Sequence, residues 1–187
     1  MGSDKKARVV ALTVAVLLLV GSAACSQGEA APAASRSSTP APSYGPNVVH
    51  LDGLREIHFG DTEALLTQRG LLAPESEAEP CGPSFVAIPE ASPVFFEGRL
   101  VQIWAEPPLQ TPEGVGVGTP LDDARAVYPT AHKLTAPADS YRFDGLLVTE
   151  GDRAYLFLHD GRAVQKVIVG YAEQARMLFE ADVYDLC

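Results

Sequence analysis

Six consecutive residues occur twice in the same chemical order at a spacing of 63: Glu97-Gly98-Arg99-Leu100-Val101-Gln102 and Asp160-Gly161-Arg162-Ala163-Val164-Gln165. A β-rich run precedes each copy, Pro93-Val94-Phe95-Phe96 in one case and Ala154 to His159 in the other, so each reads as a strand, a tight Gly-containing turn and a second strand. Ser84 to Ile88 and Gly145 to Thr149 supply a further strand ahead of each hairpin. The likeness continues upstream, where Ile57-His58-Phe59-Gly60-Asp61-Thr62 matches Val115-Gly116-Val117-Gly118-Thr119-Pro120 as an alternating apolar pair closed by Gly. Asp61 and Thr119 suit helix N-caps, because their side-chain oxygens can accept from exposed backbone N–H groups. Helices are expected over 62–69, ending at Gly70, and over 121–127, ending before Pro129, with Leu65, Leu66, Leu121, Ala124 and Val127 on their buried faces. The expected fold class is α+β, a tandem repeat of a short helical segment followed by an antiparallel β-meander, with the helices on one face of the sheet. The repeats would occupy about 48–109 and 110–187. Residues 172–184 read equally well as a helix or as a strand.

The repeat accounts for only part of the 187 residues. Lys5, Lys6 and Arg8 precede the apolar stretch Val9 to Val20, and Gly21-Ser22-Ala23-Ala24-Cys25 follows it. A basic start, a short apolar run and small residues at a cut site describe a secretory signal peptide over 1–24. The run is short for a bilayer, which takes roughly 20 residues to cross; a retained signal anchor is the alternative. Cys25 after Ala23-Ala24 resembles a bacterial lipobox, in which the cysteine is acylated and becomes the mature N-terminus. Ser22 stands where that pattern has Leu or a similar apolar residue, so ordinary cleavage after Ala24 stays open. Residues 25–47 are rich in Ala, Ser and Pro, a composition that buries too little apolar surface to order itself and suits a tether.

Charge narrows the partners. With 14 Lys and Arg against 24 Asp and Glu, the net charge is -10. Such a chain repels phosphate backbones, which argues against nucleic acid as a partner. It gains nothing from anionic lipid surfaces either, so membrane contact is expected through a lipid on Cys25 alone. Setting Cys25 aside leaves Cys81 and Cys187, and an even pair in an exported chain is most simply a disulfide. Closing that loop of about a hundred residues would contribute about 4–5 kcal/mol in the chain-entropy account. Two free thiols or a redox pair are the other readings.

A signal peptide, a lipobox-like cysteine and a duplicated Gly-bounded apolar motif with helix and meander resemble the small exported lipoproteins of high-GC Gram-positive bacteria. Over residues 48–187 the layout is similar to the β-lactamase-inhibitor-protein-like fold. Each half also resembles the small lipoprotein of the outer-membrane barrel-assembly machinery. The resemblance implies a protein-binding module of the cell envelope, with an unidentified envelope or secreted protein as partner. An inhibitor of a secreted enzyme such as a β-lactamase or peptidase, or a small-ligand carrier, is the alternative.

No motif points to catalysis, and no cofactor or metal is expected. Gly114-Val115-Gly116-Val117-Gly118 lacks the third Gly of a dinucleotide loop at the required spacing. His50, His58, His132 and His159 show no helix-borne zinc spacing, and Asp122-Asp123 at a helix start fits the helix dipole. A binding surface is suggested by strand alternation instead. Val101, Ile103, Leu156 and Leu158 are assigned to an aliphatic core face beneath the helices. Phe96, Trp104, Tyr155, Phe157 and His159 then fall on the opposite, open face, where aromatic side chains of this kind commonly contact partners.

Overall fold

The computed structural model describes residues 44–73, 82–138, 140 and 142–181. Cys25, Cys81 and Cys187 lie outside the described residues, as do the expected signal peptide and the tether up to Ser43. Three two-residue strands, β1 (Val49–His50), β2 (Gly53–Leu54) and β3 (Ile57–His58), form a small antiparallel sheet. Helix α1 (Glu63–Gln68) follows, then β4 (Leu72–Ala73) and β5 (Ser84–Phe85), which pair only with each other. The main sheet is built from β6 (Ala91–Phe96), β7 (Arg99–Ala105), β8 (His132–Leu134), β9 (Asp144–Glu150), β10 (Arg153–His159) and β11 (Val164–Tyr171). Helix α2 (Leu121–Val127) precedes β8, and α3 (Ala172–Glu180) follows β11. The main sheet runs in the order β6-β7-β11-β10-β9-β8, antiparallel throughout. The protein is therefore α+β, with mostly antiparallel sheets and few helices.

The Gly-closed motifs build two matching turns. Gly60 and Gly118 adopt φ of 91° and 89°, a left-handed conformation open to Gly at little steric cost. The turns close by Asp61 N donating to His58 O and Thr119 N to Gly116 O, each at 3.1 Å. Asp61 Oδ2 also accepts from His58 N at 2.9 Å, and Thr119 Oγ1 from Gly116 N at 3.0 Å. These two side chains are thus committed to the turn before the helix and are not N-caps. Thr62 caps α1 through Oγ1, accepting from Leu65 N at 3.1 Å, and α2 starts after Pro120 without a side-chain cap.

Each motif then grips its hairpin in the same way. Gly60 N donates to Leu100 O at 2.8 Å and Leu100 N to Asp61 O at 2.9 Å; Gly118 N donates to Val164 O at 2.8 Å and Val164 N to Thr119 O at 2.9 Å. Both hairpins carry a β-bulge. The β6–β7 register jumps between Val94↔Gln102 and Phe95↔Leu100, leaving Val101 as the extra residue. The β10–β11 register jumps between Leu158↔Lys166 and His159↔Val164, leaving Gln165 extra. By hydrogen bonding, Leu100 therefore corresponds to Val164, one residue away from the match by residue type. The turns differ accordingly. Glu97 and Gly98, both with positive φ, make a two-residue turn. Asp160 to Ala163 make a four-residue loop, in which Asp160 Oδ1 accepts from Arg162 N at 2.8 Å and Ala163 N at 3.0 Å.

Helices lie on both faces of the main sheet, a departure from the expected one-sided cover. One core gathers Ile103, Leu146, Tyr155, Phe157, Val167 and Val169 from the sheet with Leu66 of α1 and with Leu121 and Ala124 of α2. The other gathers Leu147, Leu156, Leu158 and Ile168 against Ala175, Leu178 and Phe179 of α3. The undecided C-terminal segment is thus helical and covers the second face. Gly145 makes room for it: a Cβ there would stand 3.0 Å from the Phe179 ring. The first half also departs from a three-strand meander. Ser84–Phe85 pairs with β4 rather than with β6, and Ala87, with φ of 60°, turns the chain out of strand geometry.

Candidate functional site

Alternation within β10 separates Tyr155, Phe157 and His159 from Leu156 and Leu158, as the sequence suggests. The bulges reverse how β10 is matched to β7. Phe157 pairs with Val167, which pairs with Ala105, while Tyr155 pairs with Val169, which pairs with Ile103. The aromatic row therefore shares the face of Ile103 and faces α1 and α2. Tyr155, Phe157 and His159 are 4%, 0% and 5% exposed. They line a core rather than an open surface. Tyr128, after α2, stacks on Phe157 with ring centroids 5.5 Å apart and lies 5.9 Å from Tyr155. Trp104 pairs with Ile168 and lies on the opposite face, half-buried in the α3 core. The Lys166 ammonium sits 5.2 Å from its ring centre, and its indole N–H finds no acceptor among the described residues. Of the five residues expected to share one open face, Phe96 alone is well exposed, at 57%.

The hydroxyls of Tyr128 and Tyr155 are held protonated. Burial, followed by hydrogen bonding to Glu113, pushes the Tyr128 hydroxyl well above the ordinary tyrosine range. That hydroxyl donates to the Glu113 carboxylate and hydrogen-bonds Thr111 Oγ1 at 2.8 Å. Tyr155 is raised too, first by burial and then by neighbouring Tyr128 and Glu113. Burial lowers His50 and His159 below the ordinary histidine value of 6.5, and their Nδ1 atoms accept from Asp52 N and Gly161 N, each at 3.2 Å. In the unfolded chain these imidazoles take up a proton near pH 6.5, whereas in the fold they resist it. The unfolded state then binds more protons, so stability is full above that value and falls as pH drops through and below it. Urea denaturation at pH 7.5 and 5.5 should show the loss, and His159→Gln should reduce its pH dependence.

One cleft opens where the β6–β7 hairpin tip, the β9–β10 turn and the start of α3 meet, and another opens between the small sheet and Arg153. The larger, about 410 Å³, is lined by Phe96, Arg99, Val101, Asp152, Tyr171 and Glu173, among others. The smaller, about 330 Å³, is lined by residues of the small sheet and Arg153. Arg153 and Tyr171 face each other across β10 and β11. The guanidinium lies 3.8 Å from the Tyr171 ring centre and 5.8 Å from that of Phe59, and it donates to Asp152 Oδ2 at 2.7 Å.

Strand alternation alone did not single out Arg153, Tyr171, Phe59 or Tyr128. The register of the second hairpin would have brought Arg153 opposite Tyr171, but Phe59 and Tyr128 reach the sheet only through tertiary packing. Among the described residues, no group of three or more His, Cys, Asp or Glu side chains could hold a metal ion. No helix there is long and apolar enough to cross a membrane. No family model matches the chain, and neither the curated proteins nor the solved structures include a significant match to it.

Proposed function

We propose that this chain is an exported, non-enzymatic module of the cell envelope, held to the outer face of the membrane through acylated Cys25 and a flexible tether, and that it binds another envelope or secreted protein. The observation carrying the binding part is Phe96. A phenylalanine left 57% exposed at a hairpin tip, beside an open cleft that also contains Val101 and Tyr171, offers an apolar anchor to a partner. The two-residue turn Glu97-Gly98 sets it at the end of the hairpin. A tandem-repeat origin for the domain is part of the same reading. It is supported by the matched turns at Gly60 and Gly118 and by the bulges at Val101 and Gln165. The anchor rests on the sequence around Cys25.

Photocrosslinking in intact cells tests the binding part, and a Cys25 variant tests the anchor. A photoreactive residue at position 96 should yield a discrete protein adduct, and one at exposed Met177 should not. Phe96→Ala should abolish capture of that adducted protein while changing folding stability by no more than about 0.5 kcal/mol, as expected of a surface substitution. Cys25→Ser should release the chain from the membrane. Equal adducts at positions 96 and 177 would remove the binding surface, and unchanged membrane retention of Cys25→Ser would remove the lipid anchor.

A further inference from the structure

The smaller cleft has a chemistry of its own, separate from the partner surface around Phe96. Its floor carries hydrogen-bond donors. The Arg153 side chain is 19% exposed and clamped over two rings, and the His50 side chain is 12% exposed. Because His50 Nδ1 accepts the Asp52 N–H, the ring carries its proton on Nε2 and offers a second donor. Arg55 and His58 line the mouth. The one carboxylate in the lining, Asp52, has its side chain 83% exposed, so it stands solvated at the rim rather than inside. Within a chain of net charge -10, this gathers two guanidiniums and two imidazoles around a single acid.

Stacking fixes the guanidinium of Arg153. Rings occupy its faces and its Nε is buried, so recognition falls to its outer in-plane N–H groups. Asp152, 76% exposed, takes Nη1 from outside the cleft. Arg55 is placed by its Nε, which donates to Pro46 O at 3.0 Å. Tyr44 stacks on His50 at 4.4 Å, so the wall beside the donors is aromatic. At about 330 Å³ the space lies at the lower end of small-molecule pockets, roughly 300–1,000 Å³. Asp52 in the lining and Asp152 just outside it offset the two guanidinium charges, so a small monoanion is held by directed N–H donors rather than by excess charge.

We propose that this cleft binds the carboxylate group of a small organic acid or of a peptide's free C-terminal end, held by Arg153 and Arg55 with the Nε2–H of His50 as a further donor. The proposal stands independently of the Phe96 surface. It is tested by calorimetric and NMR titration of the full chain in detergent micelles at low salt. The probes are acetate, N-acetyl-dialanine as the free acid, and the same peptide as its C-terminal amide. The free acid should bind saturably and the amide should not. Equal affinity for acetate and the peptide acid assigns a free small acid, and tighter binding of the peptide acid assigns a peptide end. Arg55→Gln should weaken binding roughly tenfold or more, as loss of a charge-assisted donor predicts. Arg153→Lys, which keeps the charge but loses the planar fork, should weaken it as well. Arg162→Gln, in the β10–β11 loop, should not. Arg55 is exposed, so its variant reports on the cleft even if Arg153→Lys lowers stability. Equal binding of acid and amide, no saturable binding of either acid, or unchanged affinity in Arg55→Gln would overturn the proposal.

Discussion

Phe157→Ala should destabilise the domain by about 3–5 kcal/mol, the range for deleting a fully buried aromatic side chain. For a domain of this size that is a fall of roughly 10 °C or more in Tm. Phe157 has no exposed surface, it stacks on Tyr155 and Tyr128, and its ring fills the core between the sheet and α2. The strand pairs on both sides hold the backbone, so the site cannot collapse around the lost ring. Phe96→Ala removes the same atoms from a solvated position and should leave Tm within a degree or two. Differential scanning calorimetry of the two variants tests the orientation of the sheet. Similar small losses in both would place the aromatic row outside the core.

Gly170→Ala should be nearly as costly, at about 3 kcal/mol or more, the upper end of overpacking penalties. A Cβ at this position would lie 2.1 Å from Val101 O and 2.8 Å from Gln102 Cα. Both are backbone atoms, so no flexible side chain can swing aside. Strands β7 and β11 pair over only Gln102 to Ala105 and Val167 to Gly170. Parting them there loosens the joint that holds the first hairpin to the rest of the sheet. Gly98→Ala is the control: nothing lies within 4 Å of its Cβ, so the substitution carries only the strain of φ at 71°, about 1–2 kcal/mol. Urea midpoints should rank Gly170→Ala well below Gly98→Ala. The reverse order would mean that β7 and β11 are not in contact at this point.

Much of the local structure was legible in the residues. The helix expected over 121–127 has those bounds, and the one expected over 62–69 forms as Glu63–Gln68. Both Gly-Arg segments sit at hairpin turns. The alternation of Tyr155 and Phe157 against Leu156 and Leu158 holds within the strand. The candidate surface was less legible. Val101 was placed with Ile103 as though β7 alternated throughout, yet its bulge brings Leu100 and Ile103 into one core and leaves Val101 out of it. A bulge has no reliable residue signature, and a one-residue slip exchanges every side chain between the two faces. Trp104 therefore parted from Tyr155 and Phe157, and of the expected aromatic surface only the hairpin tip at Phe96 is left strongly exposed.

Short-range geometry in this protein follows from the sequence because its hydrogen bonds close within a few residues. Gly at 60 and 118 permits the turn, Asp61 and Thr119 brace it, and the alternating run beyond 145 favours extended chain, whereas the run at 84–88 leaves strand geometry at Ala87. Which side of the sheet becomes core depends on competition between helices distant in the chain. Ala172–Glu180 covers the aliphatic face as effectively as α1 and α2 cover the aromatic one. A strand's own pattern shows that its two faces differ, but two apolar faces each call for cover. Only the packing of α3 against Leu156, Leu158 and Ile168 decided that both would be buried, which leaves Phe96 at the hairpin tip as the exposed member of the expected aromatic face.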